Sequence, residues 1–389
     1  VCFSMAVISA FIGAKGLGFN LLLALNQLNI GLALEAGLCI SLIAILLDKM
    51  SLAWANKQTD YFGNLTFFQR NKNVIFFAAS FVIGIILAYV GTFIFKGSFN
   101  YLFEIPHNKG ISTADFWNKG VDWIFDTFFV YIKAFNTWLI QDVLQPMRAL
   151  YLRMPAVATL VLAVGAGYLI GGVRSALVVA ALTLFIALSP WWDRALVTLY
   201  MATFGVVISC LIGFTVGTLC FQNKKSAAFM LGVCDIFQTF PSFVYLIPVM
   251  MLFGITDTSV LIAVIVYATI PATRYTIEGL RSVPVGLHEA ATMSGVNKFQ
   301  RLTKIEFPLA FPHMMLGLNQ TIVFALFMVI IGAFIGTEDL GQYILKALSD
   351  KNGAGIGLTL GICVAFIGLI FDNLIRTWVE KRKKHLGIA

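Results

Sequence analysis

The run from Gly355 to Leu374 reads GIGLTLGICVAFIGLIFDNL and carries a single charged residue, Asp372. A helix crosses the hydrocarbon core of a bilayer with about 20 mostly apolar residues, which is the length of this run. A second run, from Val74 to Phe95, reads VIFFAASFVIGIILAYVGTFIF and has no charged residue. Because helices satisfy their own backbone hydrogen bonds in lipid, these runs predict an all-α polytopic membrane protein.

The composition of the whole chain agrees with that class. Its 389 residues are 59% hydrophobic and 12% charged, whereas soluble domains average about 45–50% apolar and about 25% charged residues. These values exclude an ordinary soluble enzyme and a disordered chain. The 27 basic residues outnumber the 19 acidic ones and cluster beside apolar runs, as cytoplasmic loops do. We therefore expect membrane lipid, and no nucleic acid, as a partner.

The residue types that carry catalysis are sparse. None of the six cysteines belongs to a CxxC pair, and the chain has only four histidines, so no metal site is expected. The sequence has no GxxxxGK[ST] motif and cannot hydrolyse ATP through a P-loop. We expect no catalytic residue and no cofactor in this chain, which makes a membrane-embedded enzyme a weak alternative.

The two ends of the chain repeat each other. Residues 5–25 read MAVISAFIGAKGLGFNLLLAL and align without a gap with MVIIGAFIGTEDLGQYILKAL at residues 328–348. After one inserted residue, five more positions match: Gly31, Leu34, Gly37, Cys39 and Asp48 with Gly355, Leu358, Gly361, Cys363 and Asp372. We expect residues 1–50 to be the tail of a first copy, and the sequence to be a C-terminal fragment of a longer tandem protein.

The apolar runs predict eight crossings in the remaining chain. They lie at 74–95, 156–172, 174–188, 195–221, 228–253, 258–275, 313–336 and 355–378. Even numbers of crossings separate the basic clusters near Lys72, Lys224, Arg281 and Lys381, which places all of them on the cytoplasmic side. This sidedness depends on the two short spans around Arg174 crossing separately.

These crossings suggest a division into segments. It consists of the first-copy tail 1–50, a cytoplasmic connector 51–72, a span with an interfacial segment 73–153, a complete second unit 154–380 and a basic tail 381–389. Aromatic residues from Phe128 to Trp138 recur at spacings of three and four. That spacing predicts an amphipathic helix in the membrane interface, with packing on another domain as the alternative.

The polar stretch from Glu278 to Pro312 is the most informative loop. It reads EGLRSVPVGLHEAATMSGVNKFQRLTKIEFPLAFP. Pro284 predicts the start of a short helix, and Gly295 predicts a sharp turn with positive φ. Two neighbouring alanines would give that helix a flat surface for a groove on another protein. The loop contains the pattern E-A-A-x3-G-x9-I-x2-P, formed by Glu289, Ala290, Ala291, Gly295, Ile305 and Pro308.

This pattern resembles the signature loop of the permease subunits of ABC importers. The stretches QTFPSFVYLIPVMMLFGI at 238–255 and LNQTIVFALFMVIIGAFIG at 318–336 are similar to the glycine betaine/proline group of those permeases. The corner at residues 337–339 departs from that group, whereas residues 14–16 follow it.

The resemblance implies a type I ABC importer permease fold, a helix bundle with a cytoplasmic coupling helix, in a bacterial inner membrane. It implies separate ATPase subunits that bind ATP and Mg²⁺, an external substrate-binding protein, and glycine betaine, proline or a related osmolyte as substrate. Choline, carnitine and trimethylamine N-oxide remain alternatives. An ion-driven secondary transporter is the rival from another class, and it would show broken helices in both copies without a docking loop.

Polar and proline residues interrupt the span predicted at 228–253. One interpretation is the wall of a translocation path; the other is hydrogen bonding between helices. An acidic group with aromatic rings would suit a quaternary ammonium substrate. The positions concerned are Asp235, Gln238, Thr239, Pro241, Phe243 and Tyr245, with Asn319 and Gln320 opposite.

Overall fold

The computed structural model describes residues 14–27, 29–55, 72–93, 112–333, 336–350 and 352–386. Every regular element in these ranges is helical, as predicted. The start of the repeat at residues 5–13, the connector residues 56–71 and the last three residues of the basic tail lie outside the described residues.

From residue 114 onward the described helices follow one another with short connections. Two π-helical turns, Leu139–Leu144 and Leu302–Glu306, each join one helix directly to the next. The helices are α1 Leu17–Asn26, α2 Ile30–Ala55, α3 Lys72–Phe93, α4 Ala114–Trp138, α5 Gln145–Leu152, α6 Ala156–Leu188, α7 Trp192–Phe221, α8 Lys224–Thr239, α9 Phe243–Phe253, α10 Asp257–Arg281, α11 Val285–Met293, α12 Lys298–Arg301, α13 Phe307–Gly332, α14 Leu340–Ser349 and α15 Ala354–Leu386.

The core is built on α10, which packs most extensively against α13 and α7. Glycines bring α7 and α10 close together, since a Cβ at Gly213 would collide with Ala272 and one at Gly217 with Thr276. Small residues at such crossings are typical of membrane helices. Lipid provides no hydrophobic driving force for helix association, so the association depends on close packing of the two backbones.

Six helical segments in the described residues are long and apolar enough to cross a membrane. Helices α8 and α9 are long and apolar enough only when taken together, and they meet at an angle of 91°. The span predicted at 228–253 is thus broken into two helices at Pro241, one of the two prolines where the sequence predicted an interruption. Phe240 is extended (φ −65°, ψ 135°) because the residue before a proline, here Pro241, is driven out of the helical region.

A sharp break at Gly172 divides α6 into the two short segments that the sequence predicted. Gly172 has φ 70°, and beyond it the chain folds back, so that Gly167 lies against the backbone of Ala176. Ser175 Oγ donates a hydrogen bond of 2.5 Å to Asn373 on α15. The hairpin thus packs against α15, and the crossing of the membrane by each of its two arms stays a prediction.

Several predicted span boundaries differ from the observed helices. The helix predicted to begin at residue 313 begins at Phe307. Pro308 occupies its first turn, where the missing N–H leaves no hydrogen bond unmade, and Pro312 is accommodated inside it. The last helix continues to Leu386 and carries part of the predicted basic tail.

The basic clusters at Lys224, Arg281 and Lys381 lie at one end of the bundle, which we call the basic end. Arg281 Nη2 donates to the carbonyl of Lys224 over 3.2 Å, and Lys381 Nζ approaches the carbonyl of Leu169 at 3.5 Å. Phe311 packs on Trp378 with ring centroids 5.1 Å apart, which links α13 to α15 there. This arrangement agrees with the predicted sidedness.

The aromatic segment forms α4, which packs on α2 and α9. Glu35 on α2 fixes its start, because its Oε2 accepts hydrogen bonds from Ser112 Oγ (2.9 Å) and Thr113 N (3.1 Å). The side chains of Tyr131 and Trp138 are 75% and 51% exposed. The helix is thus confirmed, and its location in the membrane interface stays a prediction.

Candidate functional site

The loop at the basic end is a helix closed by a tight turn. α11 begins after Pro284 and ends where Gly295 adopts φ 74°. Val296 N donates to Ala291 O and Gly295 N to Thr292 O, both at 3.1 Å. This pair of bonds satisfies the last carbonyl groups of the helix. The positive φ predicted for Gly295 is therefore present. The turn ends α11 and sets the direction in which the chain leaves it.

The return of the chain into the bundle is held by a buried ion pair. Asn297 and Gln300 form a reciprocal cap on α12, with bonds of 2.8 and 3.2 Å. Arg301 Nε then donates to Glu306 Oε1 over 2.9 Å, and Glu306 is only 2% exposed. Ile305 and Pro308 are half-buried beside this pair. The pair thus lies on the continuous helical run that leads from α12 into α13.

The outward side of this loop is apolar, which is unusual for a surface outside a membrane. We call its four exposed apolar side chains the loop patch, and Glu289 and Ala290 are exposed beside them. Ala291 is instead 5% exposed and packs on the chain itself, so only one of the two alanines can face a partner. The loop patch consists of Val285 (70% exposed), Leu287 (41%), Met293 (90%) and Phe299 (73%).

Asp235 and Gln238 meet a cation that the sequence reasoning missed. Arg274 Nη1 lies 2.7 Å from Asp235 Oδ1 and 2.8 Å from Gln238 Oε1, and its Nε lies 3.0 Å from Glu278 Oε1. The pairing neutralises Asp235, which weakens its predicted attraction for a cationic substrate. An arginine near the end of a predicted span was the signal that could have identified this partner.

Tyr245 belongs to a row of rings at the bend between α8 and α9. Its ring lies 5.3 Å from Tyr267, which stacks on Phe324 at 4.8 Å. Its hydroxyl donates to the carbonyl of Phe237. Pro241 and Phe243 are buried in the same region. The row connects α9, α10 and α13, and two of its rings, Tyr267 and Phe324, were absent from the sequence prediction.

Asn319 was expected opposite Asp235, but its observed partner lies elsewhere. Its Nδ2 donates to Asp372 Oδ1 on α15 over 2.7 Å, and Arg376 Nε donates to the same oxygen over 2.7 Å. This polar group joins α13 to α15. Gln320 is half-buried. Thr239 Oγ1 donates a hydrogen bond of 2.7 Å to the carbonyl of Ile236 in its own helix.

A second polar cluster lies at the opposite end of the bundle. Glu338 Oε2 accepts from Arg148 over 2.8 Å and from Arg194 over 3.2 Å. The hydrogen bonds from these arginines, Arg148 first, lower the pKa of Glu338. Asp339 caps α14 through a 3.0 Å bond from Gln342 N, and burial raises its pKa to about 7. The corner 337–339, where the sequence departs from the betaine permease group, thus joins α5, α7 and α14.

The fold and the loop define a helical membrane permease, and comparisons with known proteins agree. Residues 205–385 match the family described as binding-protein-dependent transport system inner membrane component. The trimethylamine N-oxide transport system permease protein TmoV of Pelagibacter ubique is 88% identical over the whole chain, which covers 54% of that relative. TmoV of Ruegeria pomeroyi is 39% identical over the whole chain and 58% of the relative.

A third relative is the glycine betaine/proline betaine transport system permease protein ProW of Escherichia coli. It is 30% identical over 69% of this chain and 76% of its own length. The chain belongs to the binding-protein-dependent transport family, as a permease of the betaine-type ABC importers in the bacterial inner membrane. It spans about half the length of the two TmoV relatives.

Proposed function

We propose that this chain conducts a small methylated-amine osmolyte across the membrane, driven by ATP hydrolysis on a partner ATPase. The loop patch is the observation that carries this proposal: α11 and the segment after it present exposed apolar side chains on the side where an ATPase would sit. An ion-driven transporter has no need for such a surface. ATP and Mg²⁺ would bind to the partner, since this chain has no P-loop.

The coupling step follows from how the loop is attached. α10 enters the loop and α13 leaves it, and these two helices form the centre of the bundle. Because α12 continues through a π-helical turn into α13, and the buried Ala291 seats α11 on the bundle, a push on the loop patch would move both helices. We assign this coupling role to Glu289, Ala290, Gly295, Ile305 and Pro308, with Ala291 as the contact that seats α11 on the bundle.

We propose trimethylamine N-oxide as the substrate, ahead of glycine betaine, proline, choline and carnitine. The names of the two TmoV relatives support this order, and ProW supports the wider betaine class. Trimethylamine N-oxide and glycine betaine both carry a methylated nitrogen, which binds favourably to aromatic faces. An external substrate-binding protein would deliver the solute, as the family description indicates.

The proposed path lies along the bend at Pro241 and the rings of Tyr245, Tyr267 and Phe324. Asp235, Gln238 and Thr239 would belong to its polar edge, with the charge of Asp235 balanced by Arg274. Phe243 would support the bend from within the core. Asn319 and Gln320 would act at the contact between α13 and α15.

The segment division remains part of the proposal. Residues 154–380 would form one permease unit, and residues 1–50 would complete another, with 51–72 as connector, 73–153 as span and interfacial segment, and 381–389 as tail. The observed helices support it, because α1 and α14 each have 10 residues and each precedes a long helix.

The test of this function is solute uptake by vesicles that contain the complete transporter. We expect uptake of labelled trimethylamine N-oxide that requires ATP, stops with vanadate and is competed by unlabelled glycine betaine more weakly than by unlabelled trimethylamine N-oxide. Gly295→Arg should abolish uptake at normal membrane abundance, while Gln222→Arg, on another exposed turn at the basic end, should not. Vanadate-insensitive uptake would favour the ion-driven rival instead.

A further inference from the structure

An arginine lies between two carboxylates beside the bend that joins α8 to α9. Arg274 Nη1 lies 2.7 Å from Asp235 Oδ1, and Arg274 Nε lies 3.0 Å from Glu278 Oε1. We call these three residues the arginine cluster. Since it holds one positive and two negative charges, it attracts a cation or a dipolar molecule and repels an anion.

One amino group of the arginine is available to a ligand. Within the described residues, Nε and Nη1 of Arg274 make hydrogen bonds and Nη2 makes none. The side chain of Arg274 is partly exposed and that of Asp235 is exposed, so a small solute can reach both. A guanidinium forms its strongest hydrogen bonds with negatively charged oxygens. Nη2 is therefore a suitable donor to such an oxygen on a ligand.

The aromatic rings at the bend adjoin this donor. Gln238 Oε1 accepts a hydrogen bond of 2.8 Å from Arg274 Nη1. The carbonyl of Phe237, the residue before it, accepts a hydrogen bond from the hydroxyl of Tyr245. The ring of Tyr245 lies 5.3 Å from that of Tyr267, and Tyr267 precedes Arg274 by two turns on the same face of α10. The donor and the rings thus follow one another along the bend.

We infer that Arg274 Nη2 binds the oxygen of a dipolar methylated amine, while the rings of Tyr245 and Tyr267 bind its methyl groups. Methylated nitrogen carries the positive charge that aromatic faces attract, and an N-oxide or carboxylate oxygen carries the negative charge that the guanidinium binds. A methylated cation without that oxygen lacks the second contact. The inference rests on the proposed function, and it names the residue that selects dipolar solutes from the methylated amines.

The contact between helices accounts for only part of the arginine cluster. Asp235 and Arg274 join α8 to α10, whereas Glu278 lies on the same helix as Arg274, four residues further on, and adds no link between helices. Its charge does make the cluster unfavourable for anions. Solute reaches the site from the exposed side of Arg274, since Tyr267 stacks on Phe324 at 4.8 Å on the other side.

Ligand binding to the membrane complex tests the inference without transport. The permease and its ATPase are placed in lipid nanodiscs without the binding protein, because that protein would bind the solute itself. Saturation transfer to the methyl protons, measured by NMR titration, gives the dissociation constants of trimethylamine N-oxide and of tetramethylammonium. Tetramethylammonium carries a charged methylated nitrogen and no oxygen, so the ratio of the two constants reports the contact with Arg274.

Arg274→Gln should change the two affinities in opposite directions. Trimethylamine N-oxide should bind at least about tenfold more weakly, which is the loss expected for one hydrogen bond to a charged group. Tetramethylammonium should bind more tightly, because the two carboxylates lose their counter-charge. Adding Asp235→Asn should recover part of the stability and keep the weak binding of trimethylamine N-oxide. Arg376→Gln, which removes the arginine of another carboxylate pair, should change neither affinity.

Two outcomes would overturn the inference. An unchanged ratio of the two dissociation constants, in Arg274→Gln and in the double variant, would show that Arg274 acts only on the structure. Absence of binding of either ligand to the unmodified complex would show that the bend holds no solute site.

Failure of this inference and failure of the proposed function give different results. Vanadate-sensitive uptake of trimethylamine N-oxide with an unchanged ratio would refute the role of Arg274 alone. Opposite changes in the two affinities without any ATP-driven uptake would refute the coupling to an ATPase and leave the solute site in place.

Discussion

Gly295 is the residue on which the loop geometry depends. Its φ of 74° lies in the region where other residues cost about 1–2 kcal/mol. A Cβ added at Gly295 would meet no atom within 4 Å. Substitution there is therefore limited by the backbone conformation and not by space. The sequence predicted this turn from the position of one glycine after a short helix.

Substitutions at Gly295 should follow their tolerance of positive φ. Gly295→Asn should keep most uptake, because asparagine adopts this conformation more readily than other residues. Gly295→Val should lose far more, since a β-branched side chain is strained there. Uptake rates normalised to membrane abundance give the comparison, and equal rates for the two variants would show that the turn does not matter.

Replacing Glu306 should lower the unfolding midpoint of the protein, whereas replacing Glu289 should not. Glu306→Ala removes the partner of Arg301 from a buried site and should cost about 1–3 kcal/mol. Glu289 is exposed, so Glu289→Ala should leave the unfolding midpoint of the purified protein unchanged. Thermal unfolding in one detergent compares them. Equal midpoints for both variants would remove the buried pair from the account.

At the scale of elements, the sequence predicted the helices better than their contacts. Periodicity and length indicated most of the long helices. An apolar run of about 20 residues forms a helix in lipid, because its backbone groups must then satisfy one another's hydrogen bonds. The right-angle bend at Pro241 was foreseen as an interruption but not as two helices. Arg274 was missed because a pair between α8 and α10 depends on how these helices pack, and a single sequence does not record that packing.

The Asp235–Arg274 pair should behave as a bridge between α8 and α10. Arg274→Gln leaves the carboxylates of Asp235 and Glu278 beside each other and should lower both stability and uptake. Adding Asp235→Asn to that variant should restore part of the loss, since one of the two charges is removed. Unfolding midpoints of the single and double variants form the measurement. Strictly additive effects would show that the two side chains do not interact.

The corner at Asp339 should respond to pH. The pKa of Asp339 is raised from 3.8 to about 7 by burial, so the folded protein binds a proton that the unfolded chain has lost. Stability should therefore fall as the pH rises from about 4 to about 7, and change little above. Asp339→Asn keeps the cap on Gln342 and should flatten this dependence. An unchanged slope in the variant would contradict the assignment.

At the scale of the whole molecule, the bundle holds two kinds of surface at opposite ends. The basic end carries the loop patch, and the far end carries the cluster around Glu338 that joins α5, α7 and α14. The central helices α7, α10 and α13 connect the two ends through glycine-mediated contacts. In the proposed function, this connection would carry motion from a partner ATPase at the basic end to the opposite end.

The most direct test is uptake by the complete transporter reconstituted with its ATPase and binding protein. We expect accumulation of trimethylamine N-oxide that requires ATP and stops with vanadate. In the Gly295→Arg transporter we expect no accumulation, although the permease is inserted at normal abundance. Accumulation by the Gly295→Arg transporter at the unmodified rate would show that the loop does not transmit the work of the ATPase.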